Sequence, residues 1–321
     1  QFYATYTPLS EEDVLGKTLL AMRDDLASYE KEMEAKVEER TEILSKQTAQ
    51  LEVQREEIGR LYNDLTSSID YARRIQGAIL PSEPNRKLIF DRNFVLYMPR
   101  DGVSGDFPWF HKLDAWRMFA AVDCTGHGVP GAFMSLLGHN ALQHIGKVYT
   151  KPGKILDRLN ELARTVLHRG EGSGLDAEDQ VPDGMDIGLI SINLEEETLE
   201  YAGANSPAYI VRNGDVIELK PDKRAIASFE PGTHTYTTHK VPLHDGDMVY
   251  CASDGYADQF GGPKGRKFMR KRFRGLLSEM AVMPVEEQED QLQSRIENWR
   301  REAEEDQVDD ILVCGVRIRL G

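Results

Sequence analysis

The sequence predicts an α+β protein: one long solitary helix, then two antiparallel sheets packed together with helices outside. Three observations carry this. Residues 10–80 contain no proline, few glycines and mostly Glu, Lys, Arg, Gln, Leu and Ala, which favour helix. From Lys87 onward the pattern changes to short apolar runs bounded by turn signals. The helical segments among those runs come in pairs instead of alternating singly with strands, which favours layered sheets over a parallel βαβ sheet.

Residues 1–9 read as a short tail, and Ser10 with Asp13 resembles a capping box at the start of the helix. A strict seven-residue series follows: Val37, Leu44, Leu51, Ile58, Leu65, Ala72 and Ile79. A sustained apolar period of seven implies a left-handed coiled coil, because a straight helix rotates such a seam away from its partner. The companion seam (Arg40, Gln47, Gln54, Leu61, Ser68, Ile75) is polar in its first half, so the coil is expected to be marginal there. The expectation is a parallel homodimer through residues 30–80; the alternative is a charged surface helix. Pro81 ends the helix, Pro84 follows in a polar linker, and residues 86–321 are expected to form one domain.

Strands are predicted at 94–98, 107–113 and 118–122, with Asp114 in the turn between the last two. Residues 131–148 and 152–168 read as helices, the first covering Phe133, Leu136, Leu137 and Ala141. The Gly-rich acidic stretch 169–183 reads as a long loop. Strands resume at 185–193 and 199–202. Asn213-Gly214 marks a hairpin joining 209–212 to 216–219. A strand at 247–252, helices at about 265–280 and 285–303, and a last strand at 311–319 complete the chain.

A net charge of −15 excludes a nucleic-acid partner of the usual kind. The basic run 264–274 is expected to be the solvated face of one helix; the alternative is a patch for phosphate or an acidic partner. Cys124, Cys251 and Cys314 lie in apolar strand-like runs without metal-site spacing, which fits small core residues in a reducing compartment. No apolar run approaches the ~20 residues that cross a bilayer. The chain starts at Gln1, which fits a piece of something longer.

The chemistry gathers at 120–134. An apolar strand delivers Asp123 to its end, Gly126, Gly128 and Gly131 let the backbone turn sharply, and Pro130 opens a helix. A carboxylate facing bare backbone oxygens suits a hard cation. Three more strand ends carry aspartate: Asp106, Asp254 and the pair Asp309-Asp310. Antiparallel pairing of the first two strands puts Asp106 beside Asp123. Two unit charges ~5 Å apart at an effective dielectric of 20 repel by about 3 kcal/mol, so converging carboxylates need protons or divalent cations between them. Two bridged cations would supply hydroxide near neutral pH and bind phosphoryl oxygens, which points to hydrolysis of a phosphate ester. Taken singly, each aspartate also reads as an ordinary turn residue.

These stretches resemble the PPM metal-dependent Ser/Thr protein phosphatases, in their SpoIIE/RsbU-type branch. The matching segments are 72–81 (Ala-Arg-Arg-Ile-Gln-Gly-Ala-Ile-Leu-Pro), 99–110 (Pro-Arg-Asp-Gly-Val-Ser-Gly-Asp-Phe-Pro-Trp-Phe), 123–134, 183–190 (Asp-Gly-Met-Asp-Ile-Gly-Leu-Ile), 202–208, 253–259 and 307–313. The resemblance implies an α-β-β-α sandwich with two Mn²⁺ or Mg²⁺ ions. Asp106, Asp123 and the carbonyl of Cys124 would hold one, and Asp123, Asp254 and Asp309 the other. Asp310 would stand behind the ligands, while Asp101 and Asp186 fall in matching motifs without an assigned role. His127 would either protonate the leaving serine oxygen or stabilise its own turn.

The implied substrate is a phosphorylated regulator, typically an anti-sigma-factor antagonist. The implied control runs through the dimeric helix and the junction 71–81. Gly102, Pro108 and Leu312 depart from the branch's usual residues. Residues 11–26 resemble the final helix of a HAMP module, which implies a membrane sensor upstream and a cytoplasmic location for this part. A catalytically weak dimeric scaffold is the competing reading; a two-metal nuclease is disfavoured by the acidic surface.

Overall fold

The structure is a computed structural model that describes residues 7, 10, 13–167, 184–228 and 235–320. The chain divides into two compact units, 1–67 and 68–321. The loop expected at 169–183 and the tail at 1–6 lie outside the described residues.

Helix α1 spans Val14–Ile79, 66 residues. It starts four residues later than the sequence implies. Asp13, not Ser10, is the cap: its Oδ1 accepts the Gly16 N–H at 2.8 Å, satisfying one of the orphan amides of the first turn. Within the first unit the charged faces form i,i+4 pairs, Lys36 with Glu32 and Lys46 with Glu42. The heptad residues Val37, Leu44, Leu51, Ile58 and Leu65 are each about 60 % exposed. No helix among the described residues is long and apolar enough to cross a membrane.

The second unit is the predicted sandwich. A short helix α2 (Glu83–Lys87) precedes β1 (Asn93–Met98), β2 (Phe107–Leu113) and β3 (Trp116–Cys124). Helices α3 (Gly128–Ile145) and α4 (Pro152–Leu167) follow, then β4 (Met185–Asn193), β5 (Thr198–Ala204), β6 (Ala208–Arg212), β7 (Asp215–Leu219), β8 (His239–Pro242) and β9 (Met248–Ala252). The chain ends with α5 (Gly255–Asp258), β10 (Phe260–Gly261), β11 (Arg266–Lys267), α6 (Arg270–Met280), α7 (Val285–Arg301) and β12 (Ile311–Arg317). One antiparallel sheet has the order β1-β12-β9-β6-β7 and the other β2-β3-β4-β5-β8.

Alternation along each strand builds three apolar layers. Phe119, Ile190 and Tyr201 meet Ile210, Val249 and Cys314 between the sheets. Trp109, Met118 and Leu189 pack outward on Leu142, Ile155 and Leu159 of α3 and α4. Leu96, Tyr250 and Val313 pack outward on Leu277, Leu292 and Ile296 of α6 and α7. All three cysteines are free and buried.

Local chemistry accounts for the turns. Asn213 and Gly214 both take positive φ (52° and 88°), as a two-residue hairpin turn of the primed type requires. Pro108, one of the departures, sits on the edge strand β2, where a missing N–H costs no ladder bond on the solvent side. Gly102, another departure, has a steric reason: a Cβ there would lie 2.3 Å from Ile69 Cγ2.

Two expectations need correction. On α3 the buried residues are Ala132, Met134, Ser135, His139 and Leu142 with Gly131 and Gly138, whereas Phe133 and Leu137 face outward. The helix begins at Gly128, and its covered face is the one where Gly138 lets Phe107 and Met185 approach closely. The basic run is not one helix face either. Gly262 and Gly265, both at positive φ, fold 260–267 into the β10–β11 hairpin, and α6 starts only at Arg270.

Gly315 of β12 sits opposite Phe94 of β1, whose ring would lie 2.1 Å from an added Cβ. Gly315→Ala is expected to cost about 1–3 kcal/mol through overpacking. It would be read as a fall of several degrees in Tm, partly recovered by adding Phe94→Leu.

Candidate active site

The site forms where one end of each sheet meets the other. In the β2–β3 hairpin Phe107 pairs with Val122, so Asp106 and Asp123 continue the same ladder and emerge side by side, as the sequence implies. On the other flank of β3, Asp123 is the register partner of Asp186 on β4. The first sheet contributes Asp254, two residues after the end of β9, and Asp309-Asp310, directly before β12. Asp254 stands at the cap position of α5 yet makes no side-chain cap bond, so its carboxylate is not consumed by its own helix.

Asp310 has a different task from its neighbours. Its Oδ1 accepts the Arg100 N–H at 2.7 Å and its Oδ2 accepts the Gly105 N–H at 2.8 Å. It is buried and ties the start of β12 to the segment that carries Asp106. Glycine makes the close approach possible: a Cβ on Gly255 would lie 2.0 Å from the Asp310 carbonyl oxygen. A Cβ on Gly105 would lie 2.9 Å from the Cys124 carbonyl oxygen, which therefore faces the corner that holds Asp106.

The electrostatics follow from burial. Loss of water holds the Asp106 carboxyl well above the ordinary carboxylate range, and the Asp123 charge adds to it, while the Ser253 hydroxyl pulls the other way. Asp123 is raised chiefly by burial, then by Asp254, Asp309 and Asp186. Asp254 and Asp309 are exposed at the mouth of the site, and their carboxyls are raised by partial loss of water and by their acidic neighbours; Arg270 opposes this at Asp254, and the Asp310 amide, His127 and Arg100 oppose it at Asp309. The Asp186 carboxyl is raised by burial and restrained by Asn205, whose side-chain amide donates to its Oδ1 at 2.9 Å.

His127 precedes α3 and lies 2.8 Å, through Nδ1, from Asp101 Oδ2, both side chains being about half exposed. Asp101 is thereby engaged with an imidazole, and Nε2 points away from that pair.

Whether this set fits a divalent cation rests on Asp106. Its Oδ2 is fully buried and has no hydrogen-bond partner. A buried carboxylate oxygen left bare costs free energy unless a proton or a cation meets it. The donors around it are all oxygen, which suits Mg²⁺ or Mn²⁺. Among the described residues no three His, Cys, Asp or Glu side chains are closed on one point as a dedicated cage.

Two participants escape sequence reasoning. Gln76, near the end of α1, is buried, and its Nε2 donates to the Ser104 carbonyl at 2.6 Å and to Ser135 Oγ at 2.8 Å. Its Oε1 accepts the Ser104 N–H at 3.2 Å. It lies inside the matching segment 72–81, but a glutamine among charged helix residues carries no spacing signal. Arg270 lines the cleft beside Asp254 and Asp186; the basic run contains it without distinguishing it from its neighbours.

This two-sheet framework with converging aspartates is that of the PP2C-type protein phosphatases. The domain titled "SiaA-PP2C domain of Pseudomonas aeruginosa" shares 32 % identity with the chain and has a TM-score of 0.71, covering 80 % of this chain and 98 % of that one. Residues 116–319 match the family model of Stage II sporulation protein E (SpoIIE), and the chain belongs to that family of protein phosphatases. The PP2C phosphatase domain of SpoIIE from Bacillus subtilis has the same fold at 19 % identity and a TM-score of 0.56, covering 71 % of this chain and 63 % of that one. The RsbU and RsbW domains of Rv1364c from Mycobacterium tuberculosis give 18 % and 0.53, covering 71 % and 60 %. No curated protein sequence matches the chain. Phosphatases of this family depend on Mg²⁺ or Mn²⁺.

The raised carboxyls give a pH signature. Above pH ~4 the unfolded chain has released protons that the folded, metal-free site still holds. Stability in EDTA is therefore expected to fall as pH rises from about 4 through the raised values, and Mn²⁺ to restore it at the upper end. Thermal unfolding between pH 5 and 8 measures this, and Asp106→Asn should flatten the slope and remove the Mn²⁺ gain. A flat profile with no response to Mn²⁺ would contradict the site.

Proposed function

We propose that the chain is a Mn²⁺- or Mg²⁺-dependent phosphoserine/phosphothreonine phosphatase acting on a phosphorylated regulatory protein of the anti-sigma-factor-antagonist type. The observation that carries the reading is the bare, buried Asp106 oxygen among Asp123, Asp254 and Asp309. In this reading Asp106, Asp123 and the Cys124 carbonyl hold one ion, and Asp123, Asp254 and Asp309 hold a second. When bound, such ions lower the pKa of an attacking water and offset phosphoryl charge.

The chain's own residues do the rest. Asp310 fixes the Asp106 segment through two backbone amides and so keeps the ligands of both sheets in register. Asp101 orients the His127 ring through Nδ1, leaving Nε2 to give a proton to the serine oxygen as it leaves. Asp186 and Asn205 close the far wall of the cleft.

The exposed heptad seam supports a homodimer through residues 30–80; the likeness of residues 11–26 to a HAMP helix is the support for a membrane sensor upstream and a cytoplasmic place for this part. Control then reaches the site through Gln76, whose partner Ser104 also accepts the Asp106 N–H on its hydroxyl at 3.0 Å. The four aspartates speak against a scaffold without turnover.

In a Mn²⁺-dependent assay on a phosphoprotein, Asp254→Asn is expected to lose at least ~10²-fold in rate. Equal rates would leave only the scaffold reading. His127→Ala should slow the phosphoserine substrate by about 10²-fold or more. It should affect p-nitrophenyl phosphate much less, since that leaving group needs no proton.

Control has its own test. Gln76→Ala should keep Mn²⁺ binding and lower the rate roughly tenfold, the scale of one to two buried hydrogen bonds. Ile58→Asp should halve the mass seen by light scattering. An unchanged rate and mass would remove the helix from the mechanism.

A further inference from the structure

Of the cations in the basic run, three have partners and one other lines the site. Lys267 pairs with Asp258 and Arg274 with Glu218, each at 2.7 Å, and Arg272 lies over the Trp299 ring at 4.7 Å. Arg270 is exposed and, among the described residues, makes no hydrogen bond or contact ion pair. It nevertheless lines the cleft of Asp123, Asp186, Asn205, Tyr209 and Asp254, with Phe273 of its own helix as the wall beside it. The cleft has about 60 Å³ of room. That is space for roughly four to six waters, or one small oxyanion.

The backbone goes to some cost to put Arg270 there. Met269, the residue before it, has φ 76° and ψ 141°, a conformation that a side chain with a Cβ rarely adopts. Such a residue persists only when its surroundings fix it. Here the Met269 N–H donates to Ala257 O at 2.7 Å and the Phe268 N–H to Gln259 O at 2.9 Å. The Arg272 and Phe273 N–H groups return to Met269 O at 3.0 and 3.1 Å. The bend is tied on its near side to α5, which follows Asp254, and on its far side it launches α6 with Arg270 first.

A guanidinium serving only as counter-charge would be within ion-pair distance of Asp186 or Asp254. Arg270 acts on both through space, and Asp186 Oδ1 is already taken by the Asn205 side-chain amide. We infer that Arg270 is a substrate clamp, binding an oxyanion of the phosphoserine-bearing segment as it enters the cleft: a phosphoryl oxygen or the carboxylate of a residue beside the phosphoserine. Arginine suits this through its planar fork of donors, which matches either oxyanion bidentately. The inference rests on the phosphatase reading above and deepens it.

The test uses the full chain with saturating Mn²⁺ and three substrates: p-nitrophenyl phosphate, a phosphoserine peptide with neutral neighbours and one with Asp or Glu beside the phosphoserine. Arg270→Ala is expected to raise KM by roughly 10- to 100-fold on at least the acidic peptide, more than it lowers kcat, with Arg270→Lys recovering part. A loss confined to the acidic peptide identifies the neighbouring carboxylate; an equal loss on all three identifies the phosphoryl group. Unchanged KM on all three overturns the clamp. So does a loss of Mn²⁺ affinity by calorimetry in Arg270→Ala that accounts for the whole effect.

A second arm separates this from failure of the phosphatase reading. Fluorescence anisotropy of a labelled phosphonate analogue of the acidic peptide reads binding without turnover. If the parent hydrolyses nothing but Arg270→Ala weakens this binding tenfold or more, the clamp stands and the phosphatase reading falls. Equal binding by parent and variant overturns the clamp whatever the activity.

Discussion

Burying like charges is the constraint to which the rest of the catalytic unit answers. Asp106 and Asp123 leave water at the end of one sheet, while Asp254 and Asp309 face them from the other. A pair of unit charges ~5 Å apart at an effective dielectric of 20 would cost about 3 kcal/mol, so carboxylates brought together are tolerated with protons or cations among them. The framework must hold the carboxylates close against that repulsion. Two five-stranded sheets with a shared apolar layer provide the stiffness, and Asp310 supplies the local tie. Spending one aspartate entirely on backbone amides keeps a fifth full charge from acting as a competing ligand.

Glycine turns that tie into a site. Gly105, Gly131 and Gly255 lie where backbone meets backbone, with a Cβ at each falling within 3 Å of a carbonyl oxygen. The Gly126 carbonyl oxygen is shared by the first two. Larger residues would push the β2 start away from the β3–α3 turn and Asp254 away from Asp310. The glycine-rich turn after Asp123 therefore does two things: it exposes backbone oxygens and lets three chain segments approach closely enough for their carboxylates to act together.

What the sequence makes legible is whatever depends on neighbours along the chain. Strand periodicity, the Asn213-Gly214 turn and the adjacency of Asp106 and Asp123 are of this kind, since a hairpin fixes its own register. What depends on the other sheet is not. The covered face of α3 is set by Phe107 and Met185 pressing on Gly138, and no periodicity within the helix reports it. Strand β8 is short, with alternate residues half exposed, and lacks the apolar run that marks its neighbours. Arg270 is one of seven cations in eleven residues, and only the bend at Met269 singles it out. Gln76 is the plainest case, a polar residue in a polar helix whose meaning lies in Ser104 and Ser135, 28 and 59 residues away.

Gln76 also links the end of α1 to the site by hydrogen bonds. Its amide satisfies both the N–H and the carbonyl of Ser104, and the Ser104 hydroxyl in turn holds the N–H of Asp106. Two hydrogen-bonded steps thus separate a helix residue from the backbone of Asp106, the most buried of the four candidate ligand carboxylates. Inside a protein such a chain has few graded positions: withdrawing the amide leaves two buried backbone groups of Ser104 unpaired, at about 1–3 kcal/mol each. An input that moved this amide would therefore act on the segment around Asp106 through a small energy difference. Gly102 fits the same logic. Its missing side chain is what lets Ile69, two turns before Gln76, lie against the loop that carries Ser104, so the departure from the branch's usual β-branched residue tightens the contact through which the helix would act.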